Sequence, residues 1–137
     1  MVWLTTVSPD GRPHVVPTWF SWDGEAFVIF TKPDAKKVRN VVGNSSVMLA
    51  LGDPEADFDV LLIEARAELL SGRTVDLVPD AHFGKYATKM AAIGLDRAEY
   101  GATYSAVLRI VPTRHLAWAG RTHLAERQVP SSPPNDQ

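Results

Sequence analysis

Two tight-turn signals near the start of the chain do most to limit how it can fold. Ser8-Pro9-Asp10-Gly11 and Asp23-Gly24 contain the proline, aspartate and glycine residues that reverse turns favour. The segments around them, at Val2–Val7 and at residues 14–22 and 26–31, are rich in β-branched and aromatic residues, which is typical of strands. The pattern predicts three antiparallel strands that are joined by tight turns into a meander.

A proline interrupts the second of these segments. Pro17 cannot donate a backbone hydrogen bond, so the sequence favours an edge strand, a bulge or a kink at this point. Further strand patterns occur at residues 47–51 and at Val60–Leu70. Residues 103–118 predict a last strand or strand pair that is broken at Pro112.

Two segments have the pattern of short helices. Asp34 is a candidate N-cap for a basic helix that would end at Gly43-Asn44. The second helix is predicted over residues 79–92, where Pro79 provides the start signal and aromatic residues recur at helical spacing.

These elements predict a mainly β protein with short helices, arranged over residues 2–118 as a small closed or nearly closed β-barrel. Side chains fill the interior of a barrel of this size, so a sizeable cofactor is expected on its outside, where two barrels meet. From residue 121 the composition changes to polar residues and prolines, which predicts a disordered tail over residues 121–137.

Composition excludes several classes of protein. The chain has 137 residues, 45% hydrophobic and 22% charged, as expected of one small globular domain. It has no cysteine, which excludes disulfides and thiolate metal sites and is compatible with a cytoplasmic location. Its formal net charge of −2 gives no basic surface for nucleic acid, and no apolar run is long enough to span a membrane.

The motifs of several common enzyme classes are also absent. The four histidines, at positions 14, 82, 115 and 123, include no pair at metal-ligand spacing, so no metal site is predicted. The chain contains no Gly-x-Ser-x-Gly and no Gly-x-Gly, so hydrolase, Rossmann and P-loop sites lack their glycines. The acidic loop at residues 52–59 lacks calcium-site spacing and is interpreted as a solvated loop. What remains is binding chemistry.

A cluster of cations follows the third predicted strand. Residues 32–39 contain three lysines, one arginine and one aspartate, a local net charge of +3 in an otherwise acidic chain. At 100° per residue, Val38, Val41 and Val42 share one helix face, and Lys37 and Arg39 flank that face. Together with the first-turn amides, these cations predict a site for a phosphorylated small molecule. The alternative is the solvated face of an amphipathic helix.

Aromatic residues follow Pro17 in the second predicted strand, within the sequence Pro17-Thr18-Trp19-Phe20-Ser21-Trp22. They could form a wall for a planar ring, or they could be core and dimer packing. A flat platform beside a cationic phosphate pocket fits a phosphorylated flavin-like molecule.

At this point the residues resemble a known family, the pyridoxamine 5′-phosphate oxidase-like split β-barrel superfamily, and within it most closely the actinobacterial deazaflavin-dependent oxidoreductases. The resemblance covers about residues 2–118. The motifs that carry it, in chain order, are Leu4-Thr5-Thr6-Val7, Pro9-Asp10-Gly11-Arg12-Pro13, Val16-Pro17-Thr18-Trp19-Phe20, Phe30-Thr31, Lys36-Lys37-Val38-Arg39-Asn40, Tyr104-Ser105 and Ile110-Val111-Pro112-Thr113-Arg114.

The resemblance implies a homodimer with two cofactor sites at the subunit interface. It implies that Lys37 and Arg39 contact the cofactor phosphate, with help from Thr31 and Lys36. It also implies that Pro17, Thr18 and Trp19 line the ring, and that Trp118 of the last strand closes the site from the partner subunit. The sequence departs from the family at position 18, where valine is more usual, and in having no helix before the first strand.

The activity that the resemblance implies is hydride transfer from reduced coenzyme F420 to a small organic electrophile of the enone, quinone or tetrapyrrole type. Such chemistry lies in the cofactor, while the protein supplies orientation and electrostatics. One alternative is an FMN-dependent oxidase or reductase on the same fold. A second alternative is a dimer that binds a flavin, a deazaflavin or haem without turnover.

Overall fold

The computed structural model describes residues 1–52, 59–71, 80–119 and 122–128, with the backbone alone described at 118–119 and 122–128. In these ranges it forms eight strands and three helices, which confirms the mainly β fold with short helices. The elements are β1 Val2–Val7, β2 Pro13–Thr18, β3 Ser21–Trp22, β4 Phe27–Thr31, α1 Lys36–Gly43, β5 Ser46–Gly52, β6 Val60–Leu70, α2 Asp80–Ala92, α3 Arg97–Thr103, β7 Ala106–Ala119 and β8 Thr122–Gln128. Most of the acidic loop, and Pro79, lie outside the described residues.

The strands form one antiparallel sheet in the order β2-β1-β5-β6-β7-β4-β3, and β8 pairs with β7. β2 and β3 are at opposite ends of this order, yet only Trp19 and Phe20 separate them in the chain. Three residue steps span at most about 10–11 Å, so the sheet must curl until its two edges nearly meet. This is the nearly closed barrel that the sequence predicts.

The predicted meander is therefore wrong in one respect. Residues 14–22 do not form a single strand between two neighbours. Instead, β2 pairs with β1 at one edge of the sheet, and β3 pairs with β4 at the other edge. The chain changes sheet edge directly after Pro17 and Thr18, so the proline lies on an edge strand as its chemistry requires.

Two apolar clusters lie on opposite sides of β4. Phe27 and Ile29 point into the barrel and pack with residues of β1, β5, β6 and β7. Val28 and Phe30 point outward and are covered by α2 and α3. β4 is therefore buried on both faces, which explains why its sequence is continuously apolar rather than alternating. Across the described ranges, no helix is long and apolar enough to cross a membrane.

Helix α1 is rotated relative to the face predicted for it. Val38 and Val41 are buried as expected, but Val42 is 70% exposed and Asn40 is only 3% exposed. The Asn40 amide donates a buried 3.0 Å hydrogen bond to Thr6 Oγ1 on β1, which brings this side of the helix onto the sheet. The predicted Asp34 N-cap is also wrong, because Ala35 is the N-cap and no side chain caps the helix. The helix ends at Gly43 with Asn44 as C-cap, as predicted.

The C-terminal half differs from the expectation at three points. The sequence predicts a strand break at Pro112, whereas the structure has one continuous strand, β7, with a register shift opposite Glu64 and Ala65. Helix α3 occupies the residues before β7, including Thr103, which the sequence places in the strand. Residues 122–128 form β8, which differs from the disorder predicted from residue 121 onward; residues 129–137 lie outside the described part of the chain.

Tyr86→Phe is expected to lower the free energy of unfolding by about 1–3 kcal/mol. The Tyr86 hydroxyl accepts a 3.0 Å hydrogen bond from the Phe20 N–H and donates a 2.8 Å bond to the Phe20 carbonyl, where the chain changes sheet edge. Denaturant unfolding measures the loss. Tyr100→Phe is the matched control, because the Tyr100 hydroxyl lies 3.5 Å from His82 Nε2, at the limit of a hydrogen bond. Equal losses in the two variants would contradict this account of Tyr86.

Candidate functional site

A cavity of about 320 Å³ lies where the two edges of the curled sheet approach each other. The ends of β2 and β4, the start of α1 and residues of α3 contribute to its wall. Of the eight residues implied by the resemblance, the structure brings five together here. They are Pro17, Thr18, Trp19, Thr31 and Lys37.

Lys37 is the one residue with a charged side chain among the described residues that line this cavity. The rotation of α1 that buries Asn40 also turns Lys37 toward the sheet, so its side chain is half-buried. Burial lowers the pKa of the Lys37 ammonium, because a charged group loses hydration there. Within the described residues Lys37 forms no ion pair, so an anionic ligand would supply its missing counter-charge.

Arg39 and Lys36 lie elsewhere. Both are exposed and neither lines the cavity. Arg39 Nη1 donates a 2.6 Å hydrogen bond to the carbonyl oxygen of Asp34, on the side of α1 that faces away from the buried side. The pKa of His14 is lowered mainly by burial and further by Lys36 and Lys37, which places positive charge beside β2. Lys37 and Arg39, which the sequence places on either side of one helix face, therefore have different environments.

Trp19 both packs and lines the cavity. Its ring stacks on Tyr86 with a centroid distance of 4.8 Å and an interplanar angle of 6°, and it stacks on Tyr100 at 6.1 Å and 16°. The sequence left open whether the aromatic residues pack in the core or form the wall of a site. Trp19 does both, because the stack holds the indole while the indole forms part of the cavity wall.

Two buried threonines complete the described polar lining near the strand ends. Thr31 ends β4 and Thr18 ends β2, and both side chains are buried. Within the described residues Thr18 Oγ1 has no hydrogen-bond partner. A buried hydroxyl without a partner is unfavourable in the free protein, so this atom fits a site that a polar ligand completes.

The sequence prediction missed the aromatic side of the cavity, which Phe30, Tyr100 and Tyr104 supply. The two tyrosines are on and directly after α3, and their rings contact each other at 4.7 Å. A signal for this helix was present. Asp96 and Glu99 form a capping box, in which each side chain accepts a hydrogen bond from the other residue's backbone N–H.

A buried histidine lies behind this aromatic wall. His82 Nδ1 is hydrogen-bonded to the Ser21 hydroxyl, and its ring contacts Phe30 edge to face at 4.5 Å. Burial lowers the pKa of His82 to about 4, and Lys85 adds to the effect, so the ring is neutral at physiological pH. Burial also raises the pKa of Tyr100, which keeps its hydroxyl protonated.

The backbone of Trp118 lies far from the cavity in this chain. β7 begins at Ala106, which pairs with Thr31 at the cavity, whereas Trp118 pairs with Val60 near the other end of β7. Twelve strand residues span up to about 40 Å. The Trp118 side chain lies outside the described residues, and the role implied for it requires a second subunit.

An apolar row crosses the outer face of the sheet. Strand register places Pro17 opposite Trp3, Trp3 opposite Ala50, Ala50 opposite Leu62 and Leu62 opposite Leu116. Directly opposed residues share one face of a sheet, and the neighbours Leu4, Leu49 and Ile63 point into the barrel. Trp3 is 46% exposed, so the row presents apolar surface to its surroundings, and it reaches the cavity at Pro17.

Known proteins share this architecture. The family model for pyridoxamine 5′-phosphate oxidase matches residues 1–119. The structure of an F420 reductase is 28% identical, with a TM-score of 0.58, over 83% of this chain and 86% of the reductase. No curated protein matches the sequence significantly.

Two further structures are similar in fold. A Clostridium acetobutylicum protein related to general stress protein 26 of Bacillus subtilis, of the pyridoxinephosphate oxidase family, is 16% identical, with a TM-score of 0.67 over 93% of this chain and 84% of that protein. HutZ, the haem storage protein of Vibrio cholerae, is 20% identical, with a TM-score of 0.64 over 89% of each chain. Because the family model spans most of the sequence, the chain belongs to the pyridoxamine 5′-phosphate oxidase family.

Proposed function

We propose that the cavity binds the phosphate and ring of coenzyme F420 and that the protein reduces a small organic electrophile. The observation that carries the proposal is the half-buried Lys37 ammonium, which has no ion-pair partner among the described residues and faces a cavity with a stacked indole in its wall. F420 is favoured over other phosphorylated cofactors by the 28% identity to an F420 reductase.

Each residue has a distinct part in this proposal. Lys37 binds the phosphate, and Thr31 at the end of β4 adds a hydroxyl beside it. Trp19 forms part of the cavity wall beside the ring and is held in place by its stacks on Tyr86 and Tyr100. Tyr100 and Tyr104 exclude water from the side of the cavity that α3 and the residue after it form. When bound, the cofactor supplies the hydride donor, and no acid–base pair of the protein is required for that transfer.

The size of the cavity supports a site that two subunits complete. About 320 Å³ is at the lower end of the roughly 300–1,000 Å³ range of small-molecule sites. The apolar outer row ends at Pro17, which also lines the cavity. A homodimer formed through this row would bring a second chain to the cavity opening and would bury the exposed part of Trp3.

Trp3→Lys is accordingly expected to convert a dimer to a monomer at micromolar concentration, because a charge at the centre of an apolar interface leaves an unpaired ammonium buried. Size-exclusion chromatography with light scattering measures the mass. Trp22→Lys is the matched control, since Trp22 is similarly exposed at 50% but lies outside the row, and it should leave the mass unchanged. A Trp3→Lys variant that remains dimeric would place the interface on another surface.

The decisive experiment is parallel titration of the purified protein with F420, FMN and haem, followed by assay of reduced F420 oxidation with enones, quinones and tetrapyrroles. The proposal expects F420 to bind at micromolar concentration or tighter and to be oxidised with at least one electrophile class. Tighter binding of FMN would favour an oxidase or reductase that uses FMN, which membership of the pyridoxamine 5′-phosphate oxidase family supports. Binding of haem alone, or cofactor binding without turnover, would favour the carrier function.

A further inference from the structure

Thr18 lines the cavity and has a buried side-chain oxygen without a hydrogen-bond partner among the described residues. It is the last residue of β2, directly opposite Val2, and only 9% of the residue is exposed. Its Oγ1 is buried and has no hydrogen-bond partner within the described residues. Thr6, on the same inner face of the sheet, shows the usual arrangement, because its hydroxyl accepts the Asn40 amide at 3.0 Å.

This difference has an energetic consequence. A buried hydroxyl that is not hydrogen-bonded destabilises a protein, so valine, which has the same shape without the polar atom, would suit position 18 better in the free protein. Thr18 nevertheless lines the cavity between Pro17 and Trp19. Threonine at this position lowers the stability of the free protein, so its presence is explained by an interaction that forms only when a ligand is bound.

We propose that the Thr18 hydroxyl hydrogen-bonds the ring of the bound molecule and selects a planar heterocycle whose edge carries carbonyl or N–H groups. This inference rests on the proposed cofactor function and deepens it. Threonine has staggered χ1 wells that place either the methyl or the hydroxyl on a given side. A ligand with a hydrogen-bonding edge favours the well in which the hydroxyl meets it, whereas a hydrocarbon edge gains nothing.

A hydrogen bond from Thr18 would distinguish flavins and deazaflavins from haem. The pyrimidine-dione edge shared by flavins and deazaflavins offers both acceptors and a donor. The ring of haem is edged by hydrocarbon, with its carboxylates on flexible arms, so Thr18 would contribute little to its affinity. Lys37 recognises the anionic end of the ligand in either case, which leaves Thr18 to discriminate between the rings.

Thr18→Val is expected to have opposite effects on stability and binding. The melting temperature of the free protein should be unchanged or raised, because an unpartnered hydroxyl is removed. The affinity for FMN or F420, whichever the wild type binds more tightly, should fall roughly 3- to 12-fold, the equivalent of one hydrogen bond. The affinity for haem should stay within twofold of the wild-type value.

Thr6→Val is the matched control, because it removes a paired hydroxyl from the same inner face and leaves the Asn40 amide without its acceptor. It should lower the melting temperature, and it is used as the reference for stability alone, because the Asn40–Thr6 pair also orients the helix that carries Lys37. The inference on Thr18 is overturned if Thr18→Val lowers the melting temperature as much as Thr6→Val, or if it changes flavin or deazaflavin affinity less than twofold. Failure of the wild type to bind either cofactor would instead reject the proposed function itself.

Discussion

Lys37→Met is expected to weaken binding of F420 or FMN by roughly 10- to 150-fold while leaving the protein folded. Charge-assisted hydrogen bonds contribute about 1.5–3 kcal/mol, and each 1.4 kcal/mol corresponds to a tenfold change in affinity. Methionine keeps the length and apolar stem of the lysine, so the variant removes the charge with little change in packing. Fluorescence or calorimetric titration at fixed ionic strength measures the change in affinity.

The stability of the free protein separates a binding role of Lys37 from a structural one. The folded-state pKa of Lys37 is lowered by burial, so the fold disfavours the ammonium at every pH below that value. Removing the charge should therefore leave the free energy of unfolding unchanged or raise it. A variant that binds cofactor within twofold of the wild type would show that the phosphate lies elsewhere.

Arg39→Met is the matched control on the same helix. The resemblance gives Arg39 the same role as Lys37, whereas in the structure its guanidinium is exposed and bonded to the Asp34 carbonyl. The loss of affinity should therefore be less than threefold, the scale of a screened surface charge. A loss at Arg39 as large as at Lys37 would indicate that the guanidinium turns to the ligand on binding, as the sequence comparison alone implies.

Local chemistry accounts for what the sequence predicted well. β6 runs over Val60–Leu70 as expected, because apolar residues alternate there with Glu64, Arg66 and Glu68. Alternation with a period of two is typical of a β-strand, whose successive side chains point to opposite faces of the sheet. The β3–β4 hairpin follows from Asp23-Gly24, where the Asp23 carboxylate accepts two backbone amides and Gly24 has a positive φ of 104°.

Contacts between distant residues account for what the sequence did not predict. The split of residues 14–22 into β2 and β3 depends on closure of the whole sheet, which no local pattern encodes. The rotation of α1 depends on the Asn40–Thr6 pair, which joins residues 34 positions apart. A helical wheel alone places the three valines at the centre of the buried face and treats Lys37 and Arg39 as equivalent. The tertiary contact makes Lys37 the cavity residue.

The residues of the candidate site also divide into those that local motifs identify and those that only tertiary contacts bring to the cavity. The strand-end residues Pro17, Thr18 and Thr31 could be identified because each is part of a motif, and the structure brings them to one cavity. Tyr100 and Tyr104 reach the cavity only because α3 packs outside β4, so their contribution depends on the tertiary fold. Trp118 could be connected to the site only through a second subunit.

The free energy of unfolding is expected to fall by about 3 kcal/mol as the pH is lowered from 7 to 4, through His82. Its pKa is lowered from 6.5 to about 4 in the folded protein, so the unfolded chain binds a proton in this range and the folded protein does not. Stability therefore decreases as the pH falls below about 6.5, with a limiting slope of about 1.4 kcal/mol per pH unit, and the contribution levels off below about 4.

His82→Gln is expected to remove this slope, although the variant is less stable at pH 7 because the histidine packing against Phe30 is lost. The pKa values of Asp10 and Asp23 are lowered by hydrogen bonds, from Ser8 and from the Glu25 amide respectively, so their contributions are lost mainly at more acidic pH. His14, whose pKa burial also lowers, is present in both proteins, so the difference in slope isolates His82. Denaturant unfolding at a series of pH values gives the slopes. If the variant retains the wild-type slope between pH 6 and 4, His82 is protonated in the folded protein, and the neutral, buried ring behind the aromatic wall of the cavity is the wrong description.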